Sequence, residues 1–182
     1  MLPDGWMGKK PLRWLAERAA QSRRVIEVGC WLGRSTRRMA DALPADGVLF
    51  AVDHWQGVQE DDAQRHLYAD VLAHRDPRAE FEAALQDAIA LGRVVPVAMP
   101  STEAADHLME AHGPIFDFVF IDADHSYAGC GADIDAYRPL LRPGGVLAGH
   151  DYAERWPGVR QAVDERVRKV QSAPGTIWWT NV

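Results

Sequence analysis

Two short stretches carry residue types that could do chemistry together. Ile121-Asp122-Ala123-Asp124-His125-Ser126-Tyr127 follows one apolar run, and Gly149-His150-Asp151-Tyr152 follows another. If those runs are neighbouring parallel strands, about 4.8 Å apart, their carboxyl ends bring Asp122, His150 and Asp151 to one spot. Two carboxylates beside an imidazole repel each other unless a proton or a cation lies between them, and a divalent metal is the simple resolution. Oxygen ligands point to Mg²⁺ or Mn²⁺, while the imidazole leaves Fe²⁺, Co²⁺ or Zn²⁺ open. His125, three residues beyond Asp122, is placed to take a proton from a substrate oxygen, a role worth about 10²–10⁴ in rate. Metal ligation and a hydrogen bond to a carboxylate are the other roles its position leaves open.

A second constellation lies upstream. In Glu27-Val28-Gly29-Cys30-Trp31-Leu32-Gly33-Arg34-Ser35-Thr36 a β-branched run enters a glycine turn and then a helical stretch. Gly29 permits a tight turn and close approach of backbone to a ligand, and the N–H groups at the helix start can receive a polar group. Asp53 closes the next apolar run twenty residues after Gly33, the spacing at which an acid holds both hydroxyls of a ribose. The ligand implied contains adenosine. A dinucleotide fingerprint needs a middle glycine; here Trp31 and Leu32 would crowd a pyrophosphate, and Glu27 would repel one while attracting a cation. S-adenosylmethionine, with an ammonium, a sulfonium and no phosphate, satisfies those charges better than NAD. His54, next to Asp53, is placed to line the same pocket.

These groups need a scaffold, and the chain alternates short β-branched or aromatic runs with helical ones, which argues for a doubly wound parallel sheet covered by helices. Strands are expected at 24–28, 48–52, 94–98, 116–121 and 146–148, with a hairpin at Pro174-Gly175 leading into a strand at 176–180. Helices are expected at 9–20, 35–43, 81–91, 102–111, 129–141 and 159–170. Phe116 to Ile121 is apolar except for Asp117, as a buried parallel strand should be. Residues 55–77 interrupt the alternation; an insertion at the carboxyl edge of a strand suits a lid or substrate-binding loop.

Composition narrows the classes. The 182 residues fit one domain spanning 1–182. A formal charge of −6, with 20 basic and 26 acidic residues, argues against a nucleic-acid surface. The cluster Arg166-Val167-Arg168-Lys169 reads as a solvated helix face. Cys30 and Cys130 suggest neither a disulfide framework nor a zinc site. The absence of a signal-like amino terminus and of a long apolar span makes the cytoplasm the expected location. Trp6, Trp178 and Trp179 pack into the core or serve self-association as a homo-oligomer, burial being the commoner fate.

The stretch 25–53 resembles motif I and the following acidic motif of class I S-adenosylmethionine-dependent methyltransferases. Phe116 to Tyr127, Leu140-Leu141-Arg142-Pro143-Gly144-Gly145 and Gly149-His150-Asp151 resemble the bacterial subfamily of macrolide-sugar O-methyltransferases and cephalosporin-biosynthesis relatives. The resemblance covers roughly residues 23 to 180 and is carried best by the Asp-x-Asp-His-x-Tyr stretch with the later His-Asp pair. It implies a Rossmann-like α/β fold, mostly parallel, with strand order 3-2-1-4-5-7-6 and a C-terminal antiparallel hairpin. It places Glu27 and Gly29, with Trp31, Gly33 and Ser35 of the same loop, by the methionine part of the cofactor, Asp53 at the ribose and Ser101 near the adenine. It makes Asp122 and Asp151 metal ligands and His125 a base. Two departures stand out: His150 replaces an acid, and Pro100 stands where many relatives carry an acid near the adenine. The function implied is methyl transfer to a hydroxyl of a small molecule. A non-catalytic cofactor-binding relative and a nicotinamide oxidoreductase are the alternatives.

Overall fold

The computed structural model describes residues 2–57, 69 and 71–182. Seven strands form one sheet in the order β3-β2-β1-β4-β5-β7-β6: β1 Arg24–Val28, β2 Val48–Val52, β3 Val94–Val97, β4 Phe116–Ile121, β5 Leu141–Gly149, β6 Gln171–Ala173 and β7 Ile177–Asn181. The first five pair in parallel, while β7 runs antiparallel to β5 and to β6. Among the described residues, the helices with both ends placed are α1 Lys9–Ala19, α2 Arg34–Ala40, α3 Pro77–Ala84, α4 Gln86–Ala90, α5 Ser101–His112, α6 Tyr127–Tyr137 and α7 Pro157–Arg166.

Each face of the sheet buries its own core. On one side Leu12 and Leu15 of α1, Met39 of α2 and Phe81 of α3 close over Val25, Leu49 and Phe120. On the other, Leu108 of α5, Ile134 and Tyr137 of α6 and Val163 of α7 cover Ile26, Val52, Val119 and Leu147. Successive strand residues face opposite sides, so Glu27 shares the α1/α2 side with Val25. Both faces are covered, which explains the near-continuous apolar strands.

Several expected boundaries move, each for a local reason. The helix expected at 81–91 starts at Pro77, where Asp76 caps Ala79 N–H at 3.0 Å and proline occupies the first turn; it then breaks at Leu85. The helix expected at 129–141 starts at Tyr127, capped by the Ser126 hydroxyl accepting from Gly129 N–H, and ends at Tyr137 ahead of the 3₁₀ turn Arg138–Leu140. Pro143-Gly144-Gly145 lies within β5 as a register shift opposite Phe116/Phe118. The three-residue β6, polar and at the sheet edge, shortens the expected last helix to Arg166. Of the expected 55–77 insertion, residues 58–68 and 70 lie outside the described residues. Trp178 is buried, Trp179 half-buried and Trp6 66% exposed.

Asp117, the one charge in β4, fastens the sheet. One carboxylate oxygen accepts from the N–H groups of Arg23 and Arg24 at 2.6 and 2.8 Å, and the other from Arg142 Nε at 2.6 Å. Burial opposes its charge, but these donors hold its pKa below the ordinary value. Replacing Asp117 by Ala leaves two backbone donors without their partner and is expected to lower the unfolding free energy by about 2–3 kcal/mol, measurable as a shifted urea midpoint with unchanged slope.

Candidate active site

A cleft of about 730 Å³ opens along the carboxyl ends of β1 to β5, the edge where doubly wound sheets bind ligands, and its volume suits a nucleoside-sized guest. Trp31, Ser35, Asp53, His54, Ser101, Asp122, His125, His150 and Asp151 all line it, with the backbone of Gly29. At Gly29 φ is +86°, and a Cβ there would lie 2.1 Å from the Asp122 carbonyl oxygen; only glycine lets the β1 loop meet the end of β4 so closely.

Two residues expected on the wall are elsewhere. Gly33 turns away, and a Cβ on it would meet Leu85 and Phe81 at 2.6 and 3.0 Å. Its freedom serves packing of the α2 start against α3 and α4. Glu27 lies beneath the loop, fully buried. Burial pushes its carboxyl up to about 8, against the partial stabilisation offered by Ser35 and Thr36, and neither oxygen has a well-formed hydrogen bond.

Asp53 holds the loop itself. Its Oδ2 accepts from the N–H groups of Cys30 and Trp31 at 2.9 and 2.8 Å, and its Oδ1 from Trp55 N–H at 2.7 Å. A carboxylate offers about four acceptor directions, so one remains. The sequence reading gives Asp53 both hydroxyls of a ribose; the structure leaves room for one. Trp31 is thereby held at φ +47°, where a dinucleotide loop would need glycine.

The far end of the cleft carries the acid–imidazole cluster. Asp122 Oδ1 lies 4.0 Å from His125 Nε2 and 3.6 Å from His150 Nδ1, and Asp151 Oδ2 lies 2.8 and 3.3 Å from the same two nitrogens. Arg155 Nη2 reaches Asp151 Oδ1 at 3.1 Å. Burial disfavours charge here, but bonds from His125 and His150 hold Asp151 well below the usual carboxylate range. His150 is pushed up to about 10, the two acids overriding burial. His125 is raised in the same way, chiefly by Asp151 against the effect of burial. Donor atoms of Asp122, His125 and Asp151 converge within 4.8 Å of one another, a set that fits a divalent cation. His150, expected as the third ligand, faces the same carboxylates but lies outside that converging trio.

Sequence reasoning missed several cleft residues. Arg34 donates to the Met7 and Pro3 carbonyls at 3.0 and 2.9 Å, binding the amino-terminal segment over the cleft so that Trp6 stacks on Trp31 with centroids 6.1 Å apart. Trp156 stacks on His125 at 4.5 Å. Asp133, on α6, is 1% exposed and still lines the cleft. None has a local signal; an acid among buried positions of an otherwise apolar helix face was the only hint, at Asp133.

The sheet order and the cleft at its carboxyl edge define the class I methyltransferase fold. The family model described as a methyltransferase domain matches residues 26–152, and the chain belongs to that family. Among curated proteins it is similar to y4gI of Sinorhizobium fredii, 27% identical over 159 residues, which is 85% of this chain and 16% of that protein; the chain thus spans about a sixth of that relative's length. Among solved structures it resembles cofactor-bound Rv0187 from MTB (TM-score 0.71, 21% identity, all of this chain and 83% of that one). It also resembles the Bacillus cereus O-methyltransferase in complex with SAH (0.68, 19%, all of this chain and 84% of that one) and the calicheamicin methyltransferase CalS11 (0.66, 17%, 94% and 77%). At these identities the likeness is one of fold. Among the described residues no helix is long and apolar enough to cross a membrane.

Proposed function

We propose that the chain, acting as one domain, binds S-adenosylmethionine in the cleft and transfers its methyl group to a hydroxyl of a small molecule. The observation that carries this is the contact between Gly29 and Asp122, which joins the nucleoside-binding loop to the acid–imidazole cluster in one cleft. A sulfonium methyl held by the loop then faces an acceptor oxygen held at the cluster, and fixing the two near attack distance supplies much of the acceleration. A divalent cation bound by the carboxylates would lower the acceptor hydroxyl's pKa. Asp122 and Asp151 hold the acceptor end, with His150 beside them, and His125 takes the proton. Ser35 and Gly29 receive the methionine part, Asp53 one ribose hydroxyl, and Ser101 faces the base.

The test is calorimetric titration with S-adenosylhomocysteine, with and without Mg²⁺, and with NAD as control. Binding with Kd of about 1–100 µM by S-adenosylhomocysteine and none by NAD is the expected result. NAD binding alone would establish the oxidoreductase reading in its place, which Trp31 in the middle of the glycine loop disfavours. Binding of neither would leave a fold relative without the cofactor.

A further inference from the structure

Residues 3–7 lie outside the helices and the sheet, yet Asp4, Gly5, Trp6 and Met7 all line the cleft. One side chain clasps them there. The Arg34 guanidinium, at the start of α2, donates from Nη1 to the Pro3 carbonyl at 2.9 Å and from Nε to the Met7 carbonyl at 3.0 Å. Its stem passes so close to Gly5 that a Cβ there would lie 2.9 Å from Arg34 Cδ. A planar fork can serve two carbonyls at once, which a point-like ammonium does less well. Met7 is buried in the core shared with α1 and α2, with Leu2 packed against it. Arg75 adds an exposed ion pair to Asp4 at 3.7 Å, of a kind that contributes little.

The segment thus has an apolar root at Met7, a two-bond clasp at Arg34 and, at Trp6, an indole that is 66% exposed beside the cleft. Such an indole is apolar surface that a guest in the cleft would take out of water. Lifting residues 3–6 breaks no strand ladder and no helix, so it costs far less than opening the fold. Trp6 stacks on Trp31 of the Gly29 loop, and Arg34 adjoins Ser35. Gly29 and Ser35 are the positions given above to the methionine part of the cofactor. Resting on that reading, we infer that residues 3–7 are a strap that closes over the bound cofactor, with Trp6 as its contact and Arg34 as the positioning residue that latches it. Closed, the strap keeps the cofactor in the cleft and water away from the sulfonium methyl until transfer.

The experiment follows the release of radiolabelled S-adenosylhomocysteine from the whole chain, together with amide hydrogen exchange of residues 2–8 by mass spectrometry. In the natural protein the bound compound is expected to slow exchange in that segment about 10-fold. Trp6→Ala is expected to release the compound about 3- to 10-fold faster, the range of one aromatic contact. Arg34→Gln, too short to span both carbonyls, is expected to release it at least as fast and to lose the exchange protection. Arg34→Lys, which keeps the charge but not the fork, is expected to fall between. Because Trp6 acts through the strap, the double variant of Trp6→Ala and Arg34→Gln is expected to be no faster than Arg34→Gln alone; additive acceleration would overturn the latch. Melting curves establish that the variants are folded. Exchange in residues 2–8 that does not respond to the compound, or an unchanged release rate in folded Trp6→Ala, overturns the strap while leaving the cofactor reading intact. No binding of S-adenosylhomocysteine by the natural protein overturns both.

Discussion

Replacing His125 by Gln is expected to slow methyl transfer about 10²–10⁴-fold with little change in S-adenosylhomocysteine affinity, in single-turnover assays once an acceptor is in hand. The reason lies in the ring's surroundings. Its Nδ1 is buried without a partner, and its Nε2 lies 2.8 Å from Asp151 Oδ2. A proton on Nδ1 would be a buried donor with nothing to meet, and it would set the Nε2 lone pair against a carboxylate oxygen. The neutral ring therefore carries its proton on Nε2 and donates it in a hydrogen bond to Asp151, which leaves the ring's lone pair on the buried Nδ1, away from an acceptor hydroxyl. It becomes a base only when Asp151 is drawn away, toward a cation or the acceptor, so His125 and Asp151 work as one unit. Asp151→Asn keeps the left-handed backbone, at φ +57°, which asparagine tolerates, and removes the charge. It is expected to slow transfer as well, and the double variant should be no slower than the worse single one. Because the ring's pKa is raised above 6.5 and the base must be unprotonated, the rate should climb with pH with a midpoint above 6.5. Additive losses in the double variant would show that the two residues act separately.

How much of this was legible beforehand depends on the range over which each residue acts. The parallel, doubly covered sheet followed from strands such as Val25–Val28 and Phe116–Ile121, apolar but for Glu27 and Asp117, whereas the strand order came from the resemblance to class I methyltransferases. Asp53, Asp122, His150 and Asp151 were legible because each closes a strand, and parallel strands end together. Trp6 and Asp133 were not. Trp6 reaches the cleft through Arg34, whose bonds span 27 and 31 residues of chain. Asp133 reaches the cleft wall from α6, a placement that no periodicity encodes. Asp53 shows a subtler limit: the spacing located the acid, but spacing does not count its lone pairs, and three of them serve the protein's own backbone. Glu27 shows another, since strand alternation puts it under the loop with Val25 while its neighbour Val28 lines the cleft.

That buried position makes Glu27 the site of the largest expected stability effect. An acid that titrates at about 8 in the fold and at 4.5 in the unfolded chain binds its proton more tightly when folded. The stabilisation is fully present below 4.5, declines by about 1.4 kcal/mol per pH unit above it, and is lost as pH rises through 8. At pH 7 the loss approaches roughly 3 kcal/mol as an upper figure. Gln has nearly the shape of the neutral acid and cannot ionise, and its amide meets the partnerless Thr36 hydroxyl oxygen. Glu27→Gln is therefore expected to melt higher than the natural protein, by several degrees at neutral pH, with the gap near zero at pH 4.5 and widening to about pH 8. The measurement is the difference between the two melting curves at each pH. Asp133, raised to about 7, tilts the natural protein's curve in the same direction and cancels in that difference. A gap that does not move with pH would mean that Glu27 keeps one protonation state throughout, and would overturn this account.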